Sequence, residues 1–446
     1  MTKLFQEFKP AEYDSWINQL KKDLKDKPLE ALQSNPEKDL EIRAYHHPKK
    51  DEFLSSEITF SNNFSRSNNN WNIRRIYNTG ENKKILNDLN IGIDAIGISV
   101  DSEKQFSENT SGVLFEHLKA DCQFTTKESA LAIQADKHCY LNFDVISMNN
   151  RSGKKLFDLN DYLQFYKKHS SNKTIWITGS DYGQAGSTTV QELAFTLAHL
   201  NEYLQKLHDE KTDLNEVAQK VILELSINEN YFVNLAKFRA VRELAALLFS
   251  GYRSDSTFPS PVLYATTSNR FQAENDRNNN FLRQTTQAMS AILGGCDVIT
   301  ILPLKGKTSD EQELNERMAK NIPLILREES YFDKVVDPAA GSMFIEDLTN
   351  QLIEKAWTLF KEIENKGGLI TCMNSNFIQN QIEENQNYLK AQIENKKQTF
   401  LGINKYPNSL EKWIDISVPE KSSGTDFKPL ATFMLEQQYQ PKTMVS

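Results

Sequence analysis

Thr174-Ile175-Trp176-Ile177-Thr178-Gly179-Ser180-Asp181-Tyr182-Gly183-Gln184-Ala185-Gly186-Ser187, continuing as TTVQELAFTLAHLNEY from Thr188 to Tyr203, decides the fold. The β-branched and aromatic run Thr174–Ile177 predicts a short, fully buried strand. Gly179 closes it, and a small-residue loop from Ser180 to Ser187 follows. Thr188 or Thr189 can cap the next helix, with Glu192 as the acid of a capping box if Thr189 is the cap. Leu193, Leu197, Leu200 and Leu204 supply its buried stripe. Strand, loop and helix make one βα unit, and the loop at the strand's carboxyl end is where such folds carry chemistry.

The same alternation recurs along the chain. Strands are expected within Asn90–Val100, Cys139–Ile146, Ser226–Asn228, Val262–Ser268 and Asp297–Leu302, and a short strand and turn at Val335–Ser342. Helices are expected at Ser111–Leu118, Phe157–Lys167, Glu216–Phe249 (around that short strand), Asn279–Leu293, Phe344–Glu364 and Asn376–Lys396. A helix at Glu311–Asn321 is expected to end before Pro323. Seven or eight strands alternating with helices fit an α/β fold of the TIM (β/α)8 barrel type. A doubly wound sheet is the runner-up, but no strand is followed by GxGxxG or a P-loop. Residues 1–80 read as an N-terminal arm and linker for subunit association, with Phe5, Phe8, Tyr13, Trp16 and Leu20 as its apolar stripe. Residues 81–406 read as the barrel and 407–446 as a docked tail.

The chain has 446 residues and a formal net charge of -8. That acidity argues against nucleic acid as a partner. No stretch approaches the roughly 20 apolar residues that span a bilayer, and no signal-peptide core opens the chain. Cys122, Cys139, Cys296 and Cys372 form no C-x-x-C pair, which fits reduced thiols in a cytoplasmic protein. No metal site is expected.

The stretch quoted first also resembles the methylmalonyl-CoA mutase family, whose members run through a strand into GYHMQEAG and an ELAYTLA helix. Here the text is GSDYGQAG followed by ELAFTLA. Further similarities lie at Leu235–Leu247, Asn280–Asp297, Asp337–Glu346 and Gly402–Tyr406. Trp71 to Tyr77 is similar to a family segment that enters the barrel. The resemblance implies a barrel of acyl-CoA mutase type without the flavodoxin-like cobalamin-binding domain. That domain's Asp-x-His-x-x-Gly motif is matched by none of the seven histidines.

The resemblance also implies where a pocket would lie. Asp181 stands where the family's catalytic chain has His, and an ionised carboxylate repels the thioester oxygen that an imidazole would bind. Asp297 replaces an amide after the Gly294-Gly295 pair. Asp181, Tyr182, Gln184 and Asp297 are therefore expected to line a vestigial pocket, with no catalytic residue assigned. Arg74, Arg75, Thr267, Ser268 and Asn269 are candidate CoA contacts. For the two arginines, surface salt bridges are the competing role. The implied function is a small, non-catalytic subunit of adenosylcobalamin-dependent methylmalonyl-CoA mutase. It would bind no cofactor alone and would pair as a heterodimer with a large subunit that holds the cobalamin. Acyl-CoA is a further candidate ligand. The competing readings are an active mutase barrel served by a separately encoded cobalamin subunit, and a stand-alone acyl-CoA-binding protein.

Overall fold

The computed structural model describes residues 13–25, 27–43, 46, 68–252, 259–407 and 425–439. The expected arm residues Phe5 and Phe8, and most of the tail, lie outside them. Eight parallel strands follow in chain order: β1 (Asn72–Tyr77), β2 (Ala95–Val100), β3 (Lys119–Phe124), β4 (Cys139–Asn142), β5 (Ile175–Thr178), β6 (Val221–Ile227), β7 (Val262–Thr267) and β8 (Val298–Thr300). Their order, β4-β3-β2-β1-β8-β7-β6-β5, joins the first strand to the last. Between β4 and β5 a single bridge, Tyr140 to Lys173, spans the remaining gap. The fold is a TIM barrel. Among the described residues, no helix is long and apolar enough to cross a membrane.

Successive strand residues point to opposite faces, and the two faces of this sheet differ. Outward residues such as Ile96, Ile98, Cys122, Leu141, Ile175, Ile177, Leu223 and Leu263 are buried in the main apolar core. Inward, Ala95, Trp176, Ile222, Tyr264 and Val298 form a separate cluster on the barrel axis. The Trp176 and Tyr264 rings lie 4.6 Å apart. Above them Arg74 crosses the lumen to Asp121, with two hydrogen bonds of 2.6 Å. Its guanidinium carbon is 5.8 Å from the Trp176 ring and 5.4 Å from the Tyr264 ring. A third bond, of 3.2 Å, reaches Thr300. Gly97 makes this crossing feasible, because a Cβ there would stand 2.5 Å from Arg74 Nη2. The barrel axis is filled with side chains.

Several expectations change. The first barrel strand, Asn72–Tyr77, pairs with both β2 and β8 and so lies inside the stretch assigned to the arm. β3 falls where no strand was expected, and Ser111–Leu118 holds only a short 3-10 turn at Phe115–His117. Val335–Ser342 forms turns rather than a strand. The helix Ser309–Glu328 runs through Pro323 instead of stopping before it. The Ser180–Gln184 loop coils into a short helix. Thr188 is the cap of the helix Thr189–Asp209, and its capping-box partner is Gln191 rather than Glu192.

The described part of the arm is docked on the barrel. Leu40 is buried in the core. Glu37 accepts hydrogen bonds from the Thr189 amide and hydroxyl, at 2.7 and 2.8 Å. A carboxylate at a helix N-terminus is favoured by the free amides and the helix dipole. Glu37→Ala is expected to lower the free energy of unfolding by about 1–3 kcal/mol, the range for leaving a buried donor unsatisfied. Urea unfolding checks this, and an unchanged midpoint would contradict the docking. Residues 425–439 form a strap over the same end, the carboxyl ends of the strands. Leu430, Phe433 and Leu435 donate backbone bonds to Asn150, Gln184 and Arg270.

Candidate functional site at the barrel mouth

The carboxyl ends of the strands carry a ring of inward polar residues. Ser99, Gln123 and Asn142 are register partners across β2, β3 and β4, and Thr178 pairs with Glu224 across β5 and β6. These five line a cavity of about 530 Å³, with Ser147, Arg151 and Ser180 on its wall. Its floor is the filled axis below.

Asp181 does not stand free beside this cavity. Its carboxylate accepts a 2.7 Å bond from Arg151 Nε and another from the Ser147 hydroxyl. Burial pushes its pKa up, against the downward pull of Arg151 and Ser147. Tyr182 is buried, and its hydroxyl lies 3.2 Å from His199 Nδ1. His199 Nε2 lies 2.9 Å from Asp144. With Nε2 donating to Asp144, Nδ1 is left to accept from Tyr182. Asp144 also accepts from the Tyr203 hydroxyl and from the Ser147 and Thr178 amides. Burial alone would raise the Asp144 carboxyl, but His199 and the two amides outweigh it and hold it at about 2. Because that value is below the unfolded 3.8, Asp144 contributes stability that is present above about pH 4 and lost as the pH falls toward 2. The contribution is about 2 kcal/mol. Asp144→Asn should flatten the acid limb of stability against pH, measured by urea unfolding between those limits. An unchanged limb would contradict this.

The other expected site residues are spread over the barrel. Gln184 clamps the loop after β7, donating to Thr267 O and accepting from the Ser268 hydroxyl and the Asn269 amide. The Thr267 hydroxyl accepts from Leu302 N at 2.9 Å. Asp297 lies at the opposite end, before β8, where it accepts from Arg242 and from Leu263 N. Arg74 is committed to Asp121 on the axis. Arg75 points to the outer helices and binds Asp88 and Glu316. The structure thus brings Asp181, Tyr182 and Gln184 into one loop and leaves Arg74, Arg75 and Asp297 apart from it. Sequence reading missed Asp144, Arg151, Thr178, His199 and Glu224. The available signals were an acid just past the end of a strand, at Asp144, and one charge inside the apolar run VILELSI, at Glu224.

Among the described residues, no histidine lines this cavity. His199, which contacts the cavity-lining Asp144, has both ring nitrogens engaged by Tyr182 and Asp144. The mouth therefore does not fit a cobalt-ligating role, and no chemical step is derived through a corrinoid on these residues.

A model of the family described as methylmalonyl-CoA mutase matches residues 142–431. The chain is 29% identical to a methylmalonyl-CoA mutase small subunit of Porphyromonas gingivalis, with 92% of this chain and 72% of that protein covered. It is 35% identical to a methylmalonyl-CoA mutase of Rhizobium meliloti, over 54% of this chain and 34% of that protein. A methylmalonyl-CoA mutase large subunit of Porphyromonas gingivalis is 32% identical, again over 54% and 34%. The chain spans about a third of the length of these last two relatives.

Proposed function

The chain belongs to the methylmalonyl-CoA mutase family, and from that premise we propose that it is the small, non-catalytic subunit of a methylmalonyl-CoA mutase. The large subunit would hold adenosylcobalamin and interconvert (R)-methylmalonyl-CoA and succinyl-CoA. This chain would stabilise that partner as a heterodimer, through residues 1–80 and the barrel surface. The observation that carries the reading is the similarity along nearly the whole chain to a protein named as a small subunit. Two features of the barrel support it. Trp176, Tyr264 and the Arg74–Asp121 pair fill the barrel axis and leave no channel through it for a ligand. Asp181, at the position where the resemblance expects a carbonyl-binding imidazole, is already bound by Arg151 and the Ser147 hydroxyl.

Vestigial CoA contact would fall to Thr267, Ser268 and Asn269, whose loop stays at the mouth. Arg74 and Arg75 would need to leave their ion pairs to reach a phosphate. Coexpression with the large subunit tests the assembly. The expected result is a stable one-to-one complex by size-exclusion chromatography with mass measurement. Separate elution of the two chains would contradict the proposal.

A further inference from the structure

We infer that the mouth cavity is a binding site for a small primary-ammonium compound, with Glu224 as its counter-ion and Thr178 beside it. This goes beyond the subunit assignment and does not depend on it. Three carboxylates border the cavity region. Asp181 is matched by Arg151, and Asp144 is enclosed by His199, Tyr203 and two amides. Glu224 is different. It is 8% exposed and lines the cavity. Its hydrogen bonds come from the Trp176 indole at 3.1 Å and the Thr266 hydroxyl at 2.8 Å, both neutral donors. Arg74 on the axis and Arg151 on the cavity wall both act on Glu224 through space, but neither bonds it: Arg74 is spent on Asp121 and Thr300, and Arg151 on Asp181. A buried carboxylate facing a cavity is stabilised by a cation that enters it.

A second observation points to the same place. Thr178, the register partner of Glu224, is 4% exposed and lines the cavity, and among the described residues its hydroxyl has no hydrogen-bond partner. An unmatched buried hydroxyl costs free energy until something binds it. An ammonium brings three donors. They match the Glu224 carboxylate, the Thr178 hydroxyl and the Gln123 amide oxygen, all on the cavity lining. The closed axis limits the ligand to a compact one, and the Glu224 charge disfavours a simple carboxylate.

Isothermal titration of the full chain with ethanolamine, β-alanine and propionate tests this. Ethanolamine and β-alanine should each bind saturably, one per chain, and propionate should not. Tighter binding of β-alanine would assign the class to amino acids, and tighter binding of ethanolamine to simple amines; either supports the site. Glu224→Gln should weaken binding by at least about tenfold, the loss expected for a charge-assisted bond. Thr178→Val should weaken it several-fold while leaving the Glu224 bonds to Trp176 and Thr266 in place. That second variant carries the test if Glu224→Gln does not fold. Absence of binding by both amines at millimolar concentration would overturn the inference. So would equal binding of propionate, or unchanged affinity in Glu224→Gln or Thr178→Val.

Discussion

Arg74→Met is expected to lower the free energy of unfolding by about 3–5 kcal/mol, because it leaves Asp121 as an uncompensated charge inside the barrel. Both side chains are fully shielded from solvent. Burial opposes the charge on Arg74, and Asp121 outweighs it, so the guanidinium is held protonated. The pair is costly to split but not necessarily costly to replace. A buried ion pair exchanged for apolar residues of similar volume is often neutral. Arg74→Met combined with Asp121→Leu should therefore recover most of the loss, and the double-mutant cycle should show strong coupling. Urea unfolding of the four proteins measures it. Additive effects would mean that the two groups do not meet on the axis.

Lys237→Met should have an effect of similar size, about 3–5 kcal/mol, but without easy rescue. Lys237 is fully buried and bonds Glu192 at 2.8 Å and Ser226 O at 2.6 Å. Glu192 in turn accepts from the Ser226 amide at 2.6 Å and hydroxyl at 3.0 Å. Removing both charges would leave the Ser226 amide and hydroxyl without partners, so the double replacement by apolar residues should remain destabilised. Gly183 rests on this network: a Cβ there would come within 2.0 Å of Ser226 Oγ. The network therefore also holds the loop that carries Asp181 at the mouth. Full rescue by the apolar double replacement would contradict this account.

The βα unit around Thr174 was legible because its strand is apolar on both faces and its helix is capped and striped. β3 was not, and the reason is physical. In Lys119-Ala120-Asp121-Cys122-Gln123-Phe124 the polar residues face the lumen and the apolar ones face the helices. A search for apolar runs passes over a strand whose inner face is polar. β1 is charged on both faces, with Arg74 inward and Arg75 outward. Strand geometry sends neighbours to opposite faces, so this adjacent pair could not both have served one ligand. Pro323 stood as a helix stop because its ring removes a donor, yet the Ser309–Glu328 helix packs on the barrel and continues through it. At the site, Asp181 was read correctly as a residue at a strand's carboxyl end. Its partner Arg151 lies on a separate helix, Val145–Ser152, and no spacing in the sequence links the two.

The reading that this barrel supports a partner rather than turning over thioester is tested most directly by a mutase assay with adenosylcobalamin and methylmalonyl-CoA. The purified chain is assayed alone, as its Asp181→His variant, and after assembly with the large subunit. No succinyl-CoA is expected from the chain or the variant, and turnover only from the complex. Succinyl-CoA formed by the chain alone would contradict that reading.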